Sequence, residues 1–350
     1  MASHYGLGVA SLPRTSIRRP VSFLVATTVS LLVIALTPVA LPLLYLIDLL
    51  TGRPRGKRSR VWLLIGASIG FELSGVLGSG ILWVWYLGGR RDPAGYERAN
   101  YALEFWWCRR HHGTVARFAG VEVTMPDLSP LEGGRSIVIS RHSSHIDAIV
   151  PLIVLDRAGR LPRYTLKEDL KWAPAMDVVG HRTPNVWINR TPEPGSPMFE
   201  AVEQLAATMP DDASAVIFPE GTFRTQARHD RAIERLARTR PDLAERADRL
   251  RYVLPPRPAG TQALLRGAPD ADVVVLANVG TEGRSSIAEI IDSIDEPHPI
   301  TVHATRYERA AVPEDTDEFA GWLVDRWLEM DDWIHARLLE RDPTVAAGTP

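Results

Sequence analysis

Only one cysteine, Cys108, occurs in 350 residues. An intrachain disulfide framework is excluded, and the sparing use of thiols fits a reducing compartment. The chain also lacks an excess of either charge, since 40 basic residues meet 42 acidic ones for a formal net charge of −2. Without a global positive field, nucleic acid is not an expected partner. No internal repeat or low-complexity segment stands out. Apolar residues make up 45% and charged ones 23%, which rules out wholesale disorder and collagen-like repeats. The length allows one large domain or two ordinary ones, with ample material for a core.

What is there divides sharply. The mean hydropathy of −0.07 averages two unlike parts. From Val21 to Leu50 the chain carries no Lys or Arg and one acid, Asp48, and from Val61 to Gly89 it again lacks basic residues and holds one acid, Glu72. About 20 apolar residues span a bilayer, so both stretches are long enough. A cleaved signal peptide fits the first stretch poorly, because a signal core has only about 7–15 apolar residues. The expected organisation is a basic tail over 1–20, a membrane-embedded helical hairpin over 21–89, an α/β domain over 90–342 and a flexible tail over 343–350.

Basic residues flank every membrane segment. Arg14, Arg18 and Arg19 precede the first, Arg53, Arg55, Lys57, Arg58 and Arg60 lie between the two, and Arg90 and Arg91 follow the second. If both segments span, the positive-inside rule is violated at one cluster. A monotopic or re-entrant arrangement removes the conflict. Pro38 and Pro42 would break the first helix, and the sequence GVLGSG at 75–80 would bend the second. A spanning hairpin stays open beside it.

Beyond Arg90, short β-branched runs alternate with amphipathic stretches. Strands are expected at SIVIS (136–140), RYTL (163–166), VWIN (186–189), SAVIF (214–218), YVL (252–254), VVVLA (273–277) and ITVHA (300–304). Helical windows include Ala148–Arg157, Pro197–Met209 and Phe319–Leu338, the last with Phe319, Leu323, Trp327, Met330, Ile334 and Leu338 on one face. Residues 228–250, dense in Arg, Asp and Glu, read as a solvated helical insert. The alternation predicts an α/β sandwich around a mostly parallel sheet.

In such a sheet, ligands bind beyond the strand C-termini. Two loops there are unusual: Arg-His-Ser-Ser-His-Ile-Asp at 141–147, after SIVIS, and Glu-Gly-Thr at 220–222, after SAVIF and Pro219. His142 and Asp147 form an H-x4-D pair. The spacing alone is commonplace, and Ser144 with Asp147 also makes a capping box opening the next helix. The chemical reading is a histidine base with a carboxylate to orient it, able to activate a substrate hydroxyl. In the second loop, Gly221 permits a sharp turn whose amides, with the Thr222 hydroxyl, form an anion-holding nest; an ordinary strand-to-loop turn is the plainer alternative. Arg190 ends VWIN and offers a bidentate grip on phosphate, or is merely solvated. His145 has no carboxylate at the same spacing and reads as a helix-surface residue. Cys108-Arg-Arg-His111-His112 does not make a metal site, because no second cysteine supports it.

Taken in order, these blocks resemble the glycerolipid acyltransferase family. Its 1-acylglycerol-3-phosphate members carry H-x4-D, a block ending in arginine, F-P-E-G-T and a proline-containing strand. The corresponding residues are His142 to Asp147, Lys167 through Pro174 and Gly180 to Arg190, Phe218 to Thr222, and Val253-Leu-Pro-Pro-Arg-Pro-Ala-Gly260. The last block, with Phe319 to Asp331, is similar to the branch holding lysophosphatidic acid and lysocardiolipin acyltransferases. The resemblance covers roughly residues 100–340. It implies a glycerol-3-phosphate acyltransferase-like fold: a mixed, mostly parallel sheet flanked by helices, behind a two-helix membrane anchor.

By that resemblance, His142 is the general base and Asp147 orients it. Arg190, Glu220, Gly221 and Thr222 hold the acceptor's phosphoglycerol head, and Pro256 lies near the acyl donor or shapes the pocket. The implied reaction moves a fatty acyl group from acyl-CoA or acyl-carrier protein to a lysophospholipid, 1-acylglycerol-3-phosphate foremost. No metal or resident cofactor is expected. The protein would sit on the cell membrane with its catalytic domain facing the cytoplasm, and its oligomeric state is open. Other lysophospholipids, a glycolipid or glycerol 3-phosphate are alternative acceptors. A non-catalytic membrane-anchored lipid-binding protein is the alternative from another class. Two departures bear on the acceptor: Arg141 stands where many relatives have Asn, and Phe223 stands where relatives usually have Arg after Glu-Gly-Thr, with Arg224 displaced by one.

Overall fold

The computed structural model describes residues 14–52, 56–88, 92–125, 127–144, 146–188, 197–282, 287–292, 294 and 298–341. Three long helices open the chain: α1 (Thr15–Leu50), α2 (Lys57–Leu87) and α3 (Pro93–Ala119). Then follow β1 (Val121–Thr124), β2 (Ser136–Ser140), α4 (Val150–Arg157), β3 (Leu161–Lys167), α5 (Pro174–Val179), β4 (Val186–Ile188), α6 (Pro197–Ala207) and β5 (Ala213–Ile217). The remainder is α7 (Gln226–Ala237), α8 (Pro241–Ala247), α9 (Pro258–Gly267), β6 (Asp272–Val279), α10 (Ile287–Asp292), β7 (His298–Tyr307) and α11 (Thr316–Arg341).

The strands form one sheet in the order β1-β7-β6-β2-β5-β3-β4. β6, β2, β5, β3 and β4 run parallel, whereas β7 is antiparallel to β6 and parallel to β1. Strands buried on both faces need apolar residues at every position, and SIVIS and SAVIF supply them. Ile137 and Ile139 face a core built with α6, α8, α9 and α11, while Val138 faces α3 and α4 on the other side. The expected face of α11 is realised, with Phe319, Leu323, Trp327, Met330 and Ile334 buried.

Two expectations about the domain are corrected. YVL is not a strand: its backbone is held by carboxylates, with Tyr252 N donating to Asp331 (2.6 Å) and Leu254 N to Glu220 (2.8 Å), so no neighbouring strand is needed. The insert at 228–250 is not wholly solvated, because Leu243, Ala247 and Leu250 enter the core. The tail after 342 and the Asn189 end of VWIN lie outside the described residues.

The hairpin is also corrected in detail. α1 runs unbroken through Pro38 and Pro42, and α2 through residues 75–80. α1 begins at Thr15, so Arg18 and Arg19 belong to its first turns. The lone acid of each apolar stretch has a partner: Asp48 pairs with Arg58 at 2.5 Å, and Glu72 accepts from Ala175 N at the start of α5 (2.8 Å). Both ends of α1 are tied to the α/β domain. At its start, Arg18 and Arg19 reach the buried Asp177 of α5 at 3.0 and 2.9 Å. Beyond its far end, Lys57 and Arg60 donate to the carbonyls of Asp292 and Ile294. Both helices are long and apolar enough to cross a membrane, and most of their large apolar side chains are exposed.

Candidate active site

Register brings the two unusual loops together. β2 pairs with β5 through Ile139 and Ile217, and with β6 through Ser140 and Leu276. The residues that follow these strands, 141–147, 218–222 and 280–282, therefore emerge side by side at one edge of the sheet, the ligand-binding edge of parallel α/β folds.

His142 is buried, and its ring lies against the second loop, 4.7 Å from the Phe218 ring and 4.5 Å from the Phe223 ring between centroids. Its backbone N–H donates to Glu220 Oε1 at 2.8 Å. Asp147 is fully buried, but its described hydrogen bonds do not go to the imidazole. Oδ2 accepts from Ser143 N (2.5 Å), Ser143 Oγ (2.8 Å) and Ser144 N (2.8 Å), and Oδ1 accepts from Asn278 Nδ2 (2.8 Å). Asp147 N in turn donates to Ser144 Oγ at 3.4 Å, completing the capping box. The spacing thus yields a carboxylate that fixes the chain carrying His142, rather than one hydrogen-bonded to its ring.

Glu220 is not open to a ligand either. Its side chain is buried, Oε1 accepts from His142 N and Oε2 from Leu254 N, each at 2.8 Å. One carboxyl group thereby joins the ends of β2 and β5 to the segment before α9. Burial pushes this carboxyl up to about 8, although the two backbone donors and the Arg141 charge act in the opposite direction. The expected contact between Glu220 and a phosphoglycerol head is replaced by this internal clamp, since an anion has nothing to gain beside a buried carboxyl group.

Gly221 turns as expected, with φ of +68° and its N–H donating to Phe218 O at 3.0 Å. Pro256 is buried beside this loop, and the next residue's N–H donates to Pro219 O at 3.0 Å. Thr222 is half-buried at the rim. Arg190 and His145 lie outside the described residues.

Other residues complete the site. Arg141 is 1% exposed, and its guanidinium donates to Asn278 O (2.5 Å) and pairs with Glu282 at 2.6 Å. Asn278, Thr281 and Glu282 come from the end of β6 and the turn after it. Thr281 Oγ1 bonds with Ser143 Oγ at 2.8 Å. Only the register of β6 against β2 reveals them, because they lie more than 130 residues beyond the histidine. Phe223 was visible as a departure, not as a partner of the ring.

Residues 120–258 match the family model described as Acyltransferase, a stretch that holds both loops. No curated protein matches the sequence. Among solved structures, the crystal structure of the 1-acyl-sn-glycerophosphate (LPA) acyltransferase PlsC from Thermotoga maritima is similar at 12% identity, with a TM-score of 0.46, over 76% of this chain and 97% of that one. The stretch similar to that family model contains both H-x4-D at His142 to Asp147 and F-P-E-G-T at Phe218 to Thr222.

Proposed function

We propose that this acyltransferase moves a fatty acyl group from acyl-CoA to the free hydroxyl of a lysophospholipid, with 1-acylglycerol-3-phosphate as acceptor and phosphatidic acid as product. The observation that carries the reading is the imidazole of His142 set against the F-P-E-G-T loop, 4.7 Å from Phe218. His142 takes the hydroxyl proton as the oxygen attacks the thioester carbonyl. The tetrahedral adduct collapses, the C–S bond breaks, and the imidazolium returns the proton to the departing CoA sulfur. General-base catalysis of this kind contributes about 10²–10⁴ in rate. Asp147 acts through the loop: by holding Ser143 and Ser144 it sets where the ring stands. Glu220 does the same from the opposite side through His142 N.

The acceptor explains the anchor. A lysolipid with a long chain gains about 0.8 kcal/mol per CH₂ by staying in the bilayer, so the enzyme must meet it at the interface. We infer a one-sided hairpin at the cytoplasmic leaflet of the cell membrane. α1 is about 54 Å long at 1.5 Å per residue, yet Arg18 near its start and Lys57 beyond its end both contact the α/β domain. A domain on one side of a bilayer does not reach both ends of a helix that crosses it. Basic clusters at each end then face anionic lipid together. Labelling of cysteines placed at 53–60 by an impermeant external reagent in intact cells would defeat this arrangement.

Phe223 in the slot where relatives carry arginine favours a second reading, in which the acceptor is another lysophospholipid, a glycolipid or glycerol 3-phosphate. Purified protein given radiolabelled acyl-CoA and a panel of these acceptors separates the readings. Transfer to none of them by the wild-type protein would leave only a non-catalytic lipid-binding role.

A further inference from the structure

The arginine that relatives place after Glu-Gly-Thr is replaced here by Phe223, whose ring packs on the imidazole at 4.5 Å. A phosphate bound at this loop must be held by other cations. Arg228 beside the loop is occupied in a hydrogen bond to Phe223 O at 3.0 Å, and the other guanidinium groups of this region fall into two kinds. Arg141 is neutralised by Glu282 at 2.6 Å, and Arg251 by Asp331 at 2.9 Å. Arg224 and Arg257 have no carboxylate partner among the described residues.

Arg257 sits over the turn. A Cβ placed on Gly221 would lie 3.5 Å from its Nη1 and 3.7 Å from its Cζ, so the guanidinium covers the face of the glycine. The position is fixed from behind, because Arg257 N donates to Pro219 O and Pro258 opens α9 directly after it. Arg257 is exposed, so a ligand can reach it; partial desolvation and then the like charge of Arg235 work against its charge, and no acid compensates. Arg224 donates one Nη2 hydrogen bond to Gln226 (3.2 Å), while its Nε is buried without a partner. It lies within electrostatic reach of Glu220 and Arg141, at the same edge of the sheet. A buried N–H left unpaired costs free energy that an incoming acceptor oxygen recovers.

We propose that Arg257 forms the phosphate grip of this enzyme, reaching across Gly221 from the segment before α9, with Arg224 as a further cation that has no carboxylate partner among the described residues. The ligand is a phosphate group of a substrate, either the acceptor's head-group phosphate or the nucleotide phosphates of the acyl-CoA donor. Planar guanidinium groups suit phosphate oxygens in a bidentate mode. This inference rests on the acyl-transfer reading, and a binding measurement without turnover keeps the failure of one distinct from the failure of the other.

The full-length protein in detergent is compared as wild type, Arg257→Ala, Arg257→Lys and Arg224→Ala, with Arg266→Ala as a control because that side chain is already paired with Glu203 at 3.1 Å. Loss of a charge-assisted contact should raise KM for the phosphate-bearing substrate on the order of tenfold or more in Arg257→Ala, with kcat nearly unchanged. A rise for 1-acylglycerol-3-phosphate but not for phosphate-free monoacylglycerol assigns the grip to the acceptor. A rise for acyl-CoA but not for an acyl-pantetheine thioester assigns it to the donor. Arg257→Lys should recover part of the loss, and Arg266→Ala should match wild type. Unchanged KM for all substrates, or a fall in kcat alone, overturns the proposal.

Calorimetric titration with glycerol 3-phosphate and with 3′,5′-ADP gives a readout without turnover. Binding of either by wild type, weakened about tenfold or more in Arg257→Ala, supports the grip even in a protein that transfers no acyl group. Failure of wild type to bind either probe, or equal binding by the variant, overturns the grip and leaves the acyl-transfer reading to its own assay.

Discussion

The Phe223 ring stands edge-on to the His142 imidazole, with centroids 4.5 Å apart and planes at 63°. The Phe218 ring also approaches the imidazole, at 4.7 Å. The imidazole thus contacts two aromatics, Phe218 within F-P-E-G-T and Phe223 directly after it. An edge-to-face pair is worth about 0.5–1.5 kcal/mol beyond its buried area. Phe223→Leu keeps an apolar neighbour and removes that geometry, so kcat should fall by about two- to tenfold with the acceptor KM unchanged. Steady-state kinetics checks this, and a change confined to KM would assign the ring to acceptor binding instead.

The roles of His142 and Asp147 are separable by kinetics and stability together. His142→Ala removes the base and should lower kcat by about a hundredfold or more, with thermal unfolding little changed. Asp147→Asn acts differently. The amide cannot present an acceptor to Ser143, Ser144 and Asn278 at once, so at least one buried donor is left unpaired at a cost of about 1–3 kcal/mol. Both activity and melting temperature should drop in that variant. Full stability with lost activity would instead place the carboxylate in the chemistry itself.

Glu220 predicts a pH dependence of stability. Its folded-state value of about 8 lies above the ordinary 4.5, because burial favours the protonated form. Between those pH values the folded chain holds a proton that the unfolded chain has released, so the contribution to stability declines as pH rises through the window and levels off above it. Glu220→Gln removes that decline. It also turns a donor amide toward His142 N or Leu254 N, which costs about 1–3 kcal/mol for the unpaired group. Denaturant unfolding of both proteins from pH 5 to 9 should give a falling curve for wild type and a flatter, lower one for the variant.

How far the sequence alone reaches depends on whether a group's partner is local. SIVIS, SAVIF and VVVLA were legible as strands because residues buried on both faces must be apolar, and α11 because its apolar residues repeat at 3.6. The four-residue β1 was too short to signal itself, and YVL misled because its composition is strand-like while its donors go to Asp331 and Glu220. At the site, His142, Asp147 and Gly221 were legible from their place directly after buried strands and from the order of the motif blocks. Their geometry was not, since it depends on Asn278 and Leu254, which are distant in the chain. Of the two readings the sequence allows for Asp147, the capping box with Ser144 is the one its hydrogen bonds form. Arg257 was quoted within a proline block, yet only the fold brings it over Gly221.

The anchor is held to the domain by a buried ion pair, and this too is testable. Asp177 is fully buried on α5, with Arg18 bonded to both its oxygens at 3.0 Å and Arg19 at 2.9 Å. Burial alone would raise this carboxyl, and the hydrogen bonds and charges of Arg19 and Arg18 bring it below its ordinary value of 3.8. Its contribution is therefore complete above that ordinary value and is lost as pH falls through the lower folded-state value. Removing one partner of a buried pair costs about 3–5 kcal/mol, because the other charge is stranded. In Asp177→Asn the start of α1 should leave α5. The bond between Arg18 and Arg19, protected in the docked helix, should then become a site of tryptic cleavage at neutral pH, detected by mass spectrometry of the released fragment. Wild type at neutral pH should resist. Equal resistance in the variant would mean that packing of α2 on α5, with Glu72 holding Ala175 N, is enough to keep the hairpin in place.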